Sequence, residues 1–144
     1  MSAEDNKALY RRFMEEVFLK RNPGVIDQFI APNCVDHAAP PGVPQGLEGA
    51  KQIIGMYLSA FPDVAVTIED LVAEGDRVVA RYTARGTHQG SFMGIAATGK
   101  RVTFTGIDIV RVSGDKIVEH WESFDQLGLM QQLGVVRMLG QPGR

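Results

Sequence analysis

Apolar residues recur at helical spacing in the first half of the chain and alternate with period two in the second. Leu9, Phe13, Val17 and Phe18, with charged residues between them, predict an amphipathic helix over Ala3 to Arg21. Ser2 is placed to cap it, with Asp5 three positions on as a loose capping box. Asn22-Pro23-Gly24 stops it. A short second helix, Val25 to Phe29, follows and breaks near Pro32. The stretch APPGVPQG, Ala39 to Gly46, carries three prolines and two glycines and reads as an irregular loop. A third helix runs from about Leu47 to Phe61 on Ile53, Ile54, Tyr57, Leu58 and Phe61, and Phe61-Pro62-Asp63 ends it.

Beyond that point the period changes. Val64 to Val72, Arg77 to His88, Lys100 to Val112 and Lys116 to Phe124 alternate as strands. Glu74-Gly75-Asp76 and Ser113-Gly114-Asp115 supply two turns, and a longer loop spans Gly90 to Gly99. Helices first and then a meander of long strands predict an α+β fold, with the helices across the concave face of a curved antiparallel sheet. A short helix, Gln126 to Leu133, closes it. Such a cone-shaped sheet can leave a cavity open at one end, and apolar cavities with a few polar groups are the usual ligand sites.

Composition narrows this picture. The 144 residues suit one domain over 1–144, with 44% hydrophobic and 22% charged residues, which is the range of folded globular chains. A formal net charge of −2 with interspersed signs leaves no footprint for nucleic acid or an anionic membrane surface. The single cysteine, Cys34, has no partner for an internal disulfide. No apolar run reaches the roughly 20 residues of a membrane span, and the N-terminus lacks the apolar core of a secretory signal, so a cytoplasmic protein is expected. Apolar Ile107, Ile109 and Val79 on the convex face of the sheet point to a homodimer or tetramer.

The candidate chemistry sits in four places. In the last strand, period two puts Ile117, Glu119, Trp121, Ser123 and Asp125 on one face and Val118, His120, Glu122 and Phe124 on the other. An acid beside an indole in a pocket would have a raised pKa and suit acid/base work, which makes Asp125 a candidate; capping the helix that begins at Gln126 is the competing role. Asp36-His37 precedes the proline loop, where His37 could bind a substrate oxygen or merely pair with a neighbour. His88 ends a strand, and Phe92 and Met93 beyond it could form an apolar lid. Asp108 lies inside the strongly β-forming VTFTGIDIVRV, as a second pocket acid or, the favoured reading, as the partner of Arg81 or Arg111. Tyr57, Phe61 and Trp121 complete the candidate substrate wall. The three histidines show no HxH, HxxxH or HExxH spacing, so no metal is expected.

These motifs carry a resemblance. Asp36-His37, the PPG turn, Gly46 to Gly49, AFPDV, VAEGDRVVARYTARGTH, GIAATGKRV, IVEHWESFD and LGLMQQLG together resemble the SnoaL-like polyketide cyclases, also called ester cyclases, of the nuclear transport factor 2-like superfamily. The resemblance implies the cone-shaped α+β fold. It also implies intramolecular aldol closure of a polyketide ester, without metal or organic cofactor, by an Asp acting as acid and base. By position that Asp is Asp125. Members of this family often carry a His where this chain has Asp108, a departure that touches the second catalytic group. The partner expected is a small hydrophobic or polycyclic molecule. Two alternatives remain on the sequence: a non-catalytic binding or dimerisation domain, and an isomerase or an epoxide-hydrolase-like enzyme, the latter built on Asp108, Arg81 and Asp125.

Overall fold

The computed structural model describes residues 2–137. The first helix, α1 (Ala3–Met14), begins at the capping box anticipated from Ser2 and Asp5: the Asp5 amide donates to the Ser2 hydroxyl and the Ser2 amide to the Asp5 carboxylate, both at 3.1 Å. Its apolar stripe buries Leu9, Tyr10 and Phe13. The helical path continues past Met14, but as a wider π turn over Glu15–Leu19 that buries Val17 completely. Arg21 fastens this end, donating to the Pro62 carbonyl at 2.6 Å and the Val64 carbonyl at 3.1 Å. A 3-10 turn over Pro23–Gln28 replaces the predicted short helix.

The main departure from the predicted elements follows at once. Ile30–Asp36 forms a strand, β1, parallel to the last strand of the sheet. Pro32 concealed it, but β1 is an edge strand, where proline's missing N–H costs no ladder bond. Next comes α2 (Gly46–Ala60), within one residue of its predicted limits. Gly49 is required near its start, because a Cβ there would collide with the Pro44 carbonyl. The strands β2 (Ala65–Glu74), β3 (Arg77–Thr87), β4 (Arg101–Ser113) and β5 (Lys116–Phe124) form the antiparallel meander, and α3 (Gln126–Leu133) ends it. The sheet order is β1-β5-β4-β3-β2.

Two bulges set which side chains face the helices. In β5, Val112 pairs with Ile117 but Arg111 pairs with Glu119, so Val118 is an extra residue. One extra residue exchanges the faces of everything beyond it. Ile117 points inward before the bulge, and His120 and Glu122 point inward after it. Period-two counting from Ile117 therefore assigns the wrong face to Trp121 and Asp125. A second shift in β2, between Ile68 and Asp70, does the same for Leu71 and Ala73.

The buried residues fall into two clusters. One joins α1 and the β1 side of the sheet through Tyr10, Phe13, Phe29, Ile54 and Val110. The other gathers Phe61, Phe92, Phe104, Leu129 and Leu133, with ring centroids of Phe61 and Phe92 5.4 Å apart and of Phe61 and Phe104 6.4 Å apart. Each fully buried ring of this kind contributes about 2–3 kcal/mol by removal from water.

Candidate active site

Between α1, α2 and the inner face of the sheet lies an apolar cavity of about 140 Å³. Phe13, Met14, Ile54, Val64, Phe104 and Val110 supply much of its wall. Into this wall the chain projects Asp36, Asp108, His120 and Glu122, together with the phenols Tyr10, Tyr57 and Tyr82.

His120 stands between two carboxylates. Its Nδ1 lies 2.9 Å from Asp36 Oδ1 and its Nε2 2.7 Å from Asp108 Oδ1. With an acceptor at each nitrogen, the imidazole satisfies both only as the doubly protonated cation. Burial opposes that charge, but the hydrogen bonds and charges of Asp108 and Asp36 outweigh it and raise His120 to about 10. Asp36 responds in the opposite sense: burial favours its neutral form, yet the bond to His120 and the Ala38 amide at 2.9 Å keep it below its ordinary value. Gln45 clamps the Asp36 backbone, accepting from its N–H at 2.7 Å and donating to its carbonyl at 3.0 Å. Tyr10 donates to Asp108 Oδ2 at 2.8 Å, so α1 orients this carboxylate.

Glu122 is the other inward acid. The Tyr82 hydroxyl donates to its Oε2. Gly106 opposite Tyr82 makes this possible, since a Cβ there would lie 2.5 Å from the phenol carbon Cζ. Burial, and then the negative charge of Asp108, push Glu122 up to about 7, against the smaller opposing effects of Tyr82 and His120. The cavity thus contains one carboxyl group poised near neutrality beside a fixed Asp–His–Asp ion cluster. Burial and the charges of Glu122 and Asp108 raise Tyr57 and Tyr82 above ordinary phenols, so both remain neutral O–H donors.

Asp108, His120 and Glu122 also present ligand atoms within 4.8 Å of one another, a spacing that a divalent ion could bridge. Both His120 nitrogens are engaged by carboxylates, so such an ion would have to replace the proton on Nε2.

The structure redistributes the residues singled out in the sequence. Asp108 and Tyr57 line the cavity. Asp108 pairs with neither Arg81 nor Arg111: its partners are Tyr10 and His120, while Arg81 bonds Asp70 at 2.6 Å and Arg111 bonds Glu119 at 2.9 Å. Asp125 lies outside the cavity, exposed, with its Oδ1 accepting from the Gly128 amide at 2.9 Å as the cap of α3. An Asp108–Arg81–Asp125 set in one pocket is therefore excluded by placement.

Trp121 lies on the outer face, stacked on His37 with centroids 4.9 Å apart and planes 8° from parallel, and with Arg77 5.1 Å from its ring. His37 bonds Glu119 at 2.7 Å there, away from the cavity. His88 is fully buried with Nδ1 2.9 Å from the Thr98 hydroxyl, and Phe61 and Phe92 are likewise buried core. None of the three lines the cavity. Met93 is exposed, so Phe92 and Met93 do not make a lid over it.

Four cavity groups escaped the sequence reading: Tyr10, Tyr82, His120 and Glu122. A phenol in the middle of an apolar helical stripe is a detectable signal for Tyr10. His120 and Glu122 were assigned to one shared face, and only the bulge at Val118 turns that face inward.

The family model for SnoaL-like polyketide cyclases matches residues 8–133. The aklanonic acid methyl ester cyclase DauD of Streptomyces sp. (strain C5) is 28% identical over 112 residues, covering 76% of this chain and 67% of that protein. The nogalonic acid methyl ester cyclase of Streptomyces nogalater is 27% identical over 111 residues, covering 76% and 83%. Among solved structures, TsrD from Streptomyces laurentii superposes with a TM-score of 0.80 at 33% identity, covering 90% of this chain and 97% of that one. IdmH from Streptomyces antibioticus does so with a TM-score of 0.74 at 34% identity, covering 94% and 100%. An inward acid–base cluster in an apolar cavity of this curved α+β sheet, and a family match from the first helix to the last, lead to one conclusion: the chain belongs to the SnoaL-like polyketide cyclase family.

Proposed function

We propose that this protein catalyses cofactor-independent intramolecular aldol closure of an apolar carbonyl compound, with Glu122 as the proton-transfer group. The observation that carries this reading is a carboxyl group raised to about 7 inside an apolar cavity, next to carboxylates that are fixed by ion pairing. The named relatives act on methyl esters of aklanonic and nogalonic acids, which supports an ester-bearing polyketide as the substrate class.

In the proposed reaction the Glu122 carboxylate removes a proton from the carbon between two activating carbonyls. The C–H electron pair becomes an enolate. Its carbon attacks a ketone carbon of the same folded molecule, forming the ring C–C bond while the ketone π pair moves onto oxygen. The proton on Glu122 then passes to that alkoxide, which returns the enzyme to its starting state. Tyr57 supplies a neutral O–H donor for the developing negative charge, while the Tyr82 hydroxyl holds Glu122 in place. The Asp36–His120–Asp108 cluster acts as a fixed cation flanked by anions and keeps the cavity's polar wall in one arrangement. Confinement in an apolar cavity contributes by holding the reacting carbons near attack distance.

Proton removal is testable without knowing the natural substrate. Exchange of the acidic C–H of a 2-acyl ketoester for deuterium, followed by proton NMR in heavy water, should be accelerated by the protein. Glu122→Gln should reduce the acceleration by about 10²–10⁴-fold. Exchange that is equally fast with Glu122→Gln would remove Glu122 from the reaction. A non-catalytic binding role would then become the better reading of the same cavity.

A further inference from the structure

The cavity is not closed on all sides. α1 packs chiefly on β2 and β3, and α2 on β1 and the Pro23–Gln28 turn, so the two helices leave the cavity open between them. Phe13, Ile54, Val64, Phe104 and Val110 on its inner walls are buried. Met14 and Phe18 on one lip, and Ala50, Ile53 and Tyr57 on the other, are partly exposed. Ala50, Ile53 and Tyr57 fall three or four positions apart, so α2 turns one face to the opening. The facing lip is the end of α1 and the π turn over Glu15–Leu19, with Phe18 as its aromatic side chain.

The inner wall and the lips differ in chemistry. Asp36, Asp108, His120 and Glu122 all come from strands, and neither helix adds a charged group to the lining. The lips offer apolar surface and one hydroxyl, that of Tyr57. Apolar side chains left partly in water around an opening mark a ligand-binding surface. Among the described residues, Phe18 is the only cavity-lining side chain that is partly exposed and packs against both buried clusters. The Phe13 ring meets it at 6.3 Å with planes 83° apart, and among the described residues no aromatic ring is stacked on it.

We propose that the opening between the π turn and α2 seats the apolar rings of the substrate beyond its reacting carbonyl end, and that Phe18 selects for them. The proposal rests on the cavity being the substrate site, as argued above, and adds to it an orientation and a specificity residue. The carbonyl end points inward to Glu122 and Tyr57. The flat apolar remainder lies between the lips, against Phe18, Met14 and Ile53. Flat rings are held by stacking on an aromatic face, and the Met14 thioether adapts to their outline. Because this side is open, the enclosed 140 Å³ does not cap the size of the molecule.

Two β-keto esters with the same kind of acidic C–H test this. Ethyl acetoacetate carries only a methyl group on its ketone, and ethyl 3-(2-naphthyl)-3-oxopropanoate carries two fused rings. Deuterium exchange gives kcat and KM for each, and ¹H–¹⁵N NMR at the cavity-lining amides of the full chain gives Kd. The naphthyl ester is expected to bind about tenfold or more tightly than the methyl one. Phe18→Ala should reduce that preference to about threefold or less, with the loss carried by KM and Kd rather than kcat. Ile53→Ala, on the opposite lip and outside both buried clusters, gives the same reading should Phe18→Ala unfold.

Equal affinity for the two esters in the parent would overturn the seat. A Phe18→Ala variant that weakens both esters by the same factor would make Phe18 a packing residue, and its selecting role would be wrong. If the naphthyl ester binds with the expected dependence on Phe18 but the parent accelerates no exchange, the seat stands and the aldol reading falls. If neither ester perturbs the cavity amides, both fall.

Discussion

Replacing His120 tests the ion cluster at its centre. His120 bridges Asp36 and Asp108 at 2.9 and 2.7 Å, and its pKa is raised from 6.5 to about 10. At about 1.36 kcal/mol per pH unit, such a rise corresponds to about 5 kcal/mol of stability. The imidazole is 23% exposed, and partial screening by water reduces the expected contribution to about 3 kcal/mol. The sign follows from the direction of the change. A group whose folded pKa exceeds its unfolded one contributes fully below the unfolded value, here 6.5, and the contribution disappears as pH rises through about 10.

His120→Gln should therefore be about 3 kcal/mol less stable than the parent at pH 6, where two inward carboxylates lose their shared cation. The gap should close to under about 1 kcal/mol by pH 10.5, since the parent has by then lost the same charge. Urea unfolding of both proteins at pH 6, 8 and 10.5, followed by far-ultraviolet circular dichroism, gives the difference directly. Taking the difference cancels the lysines and phenols that titrate in the same range. A gap that stays constant from pH 6 to 10.5 would mean that His120 contributes by packing alone, and the ion-cluster reasoning would be wrong.

Three further outcomes can be checked independently. Glu122→Gln should be more stable than the parent by about 3 kcal/mol at pH 8.5 and equal to it at pH 4, because burial raises Glu122 from 4.5 to about 7 and its ionisation above that value costs stability; urea midpoints at the two pH values decide it. Asp125→Ala should cost about 1 kcal/mol through loss of the α3 cap while leaving deuterium exchange unchanged, and a loss of exchange in a folded variant would return Asp125 to the reaction. Ile107 is 46% exposed and Val72 59% exposed, apolar surface of the sheet that a second copy of the chain would cover. Sedimentation of the parent at micromolar concentration should give a dimer, and Ile107→Glu should shift it toward monomer; a parent that sediments as monomer would refute the covered face.

Element positions were largely legible because each relied on a local signal. The Ser2–Asp5 capping box, the Asn22-Pro23-Gly24 stop and the Ser113-Gly114-Asp115 turn each act over a few residues, and the elements they bound lie where the periodicity put them. The candidate site was less legible, because it depends on registers that no local pattern reveals. Val118 as an extra residue in β5 reverses the face of His120, Trp121 and Glu122, so Trp121 and Asp125 exchange roles with His120 and Glu122. Tyr10 reaches Asp108 across 98 positions of sequence, and Asp36 reaches His120 across 84. Pairings of this range depend on tertiary closure, and the strand that brings Asp36 to β5 was itself concealed by Pro32. Asp108 was recognised as unusual, since an acid in the middle of a β-forming run needs a partner, but the partner lay on another element.

The central claim is that Glu122 is a buried acid tuned for proton transfer near neutral pH. Its side-chain carboxyl carbon can be titrated by carbon-detected NMR between pH 3 and 9, with Glu122→Gln to assign the signal. The account predicts a midpoint at about 7, rising further in Tyr82→Phe, which removes the hydroxyl that favours the charged form. A midpoint at or below the ordinary 4.5 would contradict it, because Glu122 would then be a solvated carboxylate, too weak a base for the proton abstraction proposed.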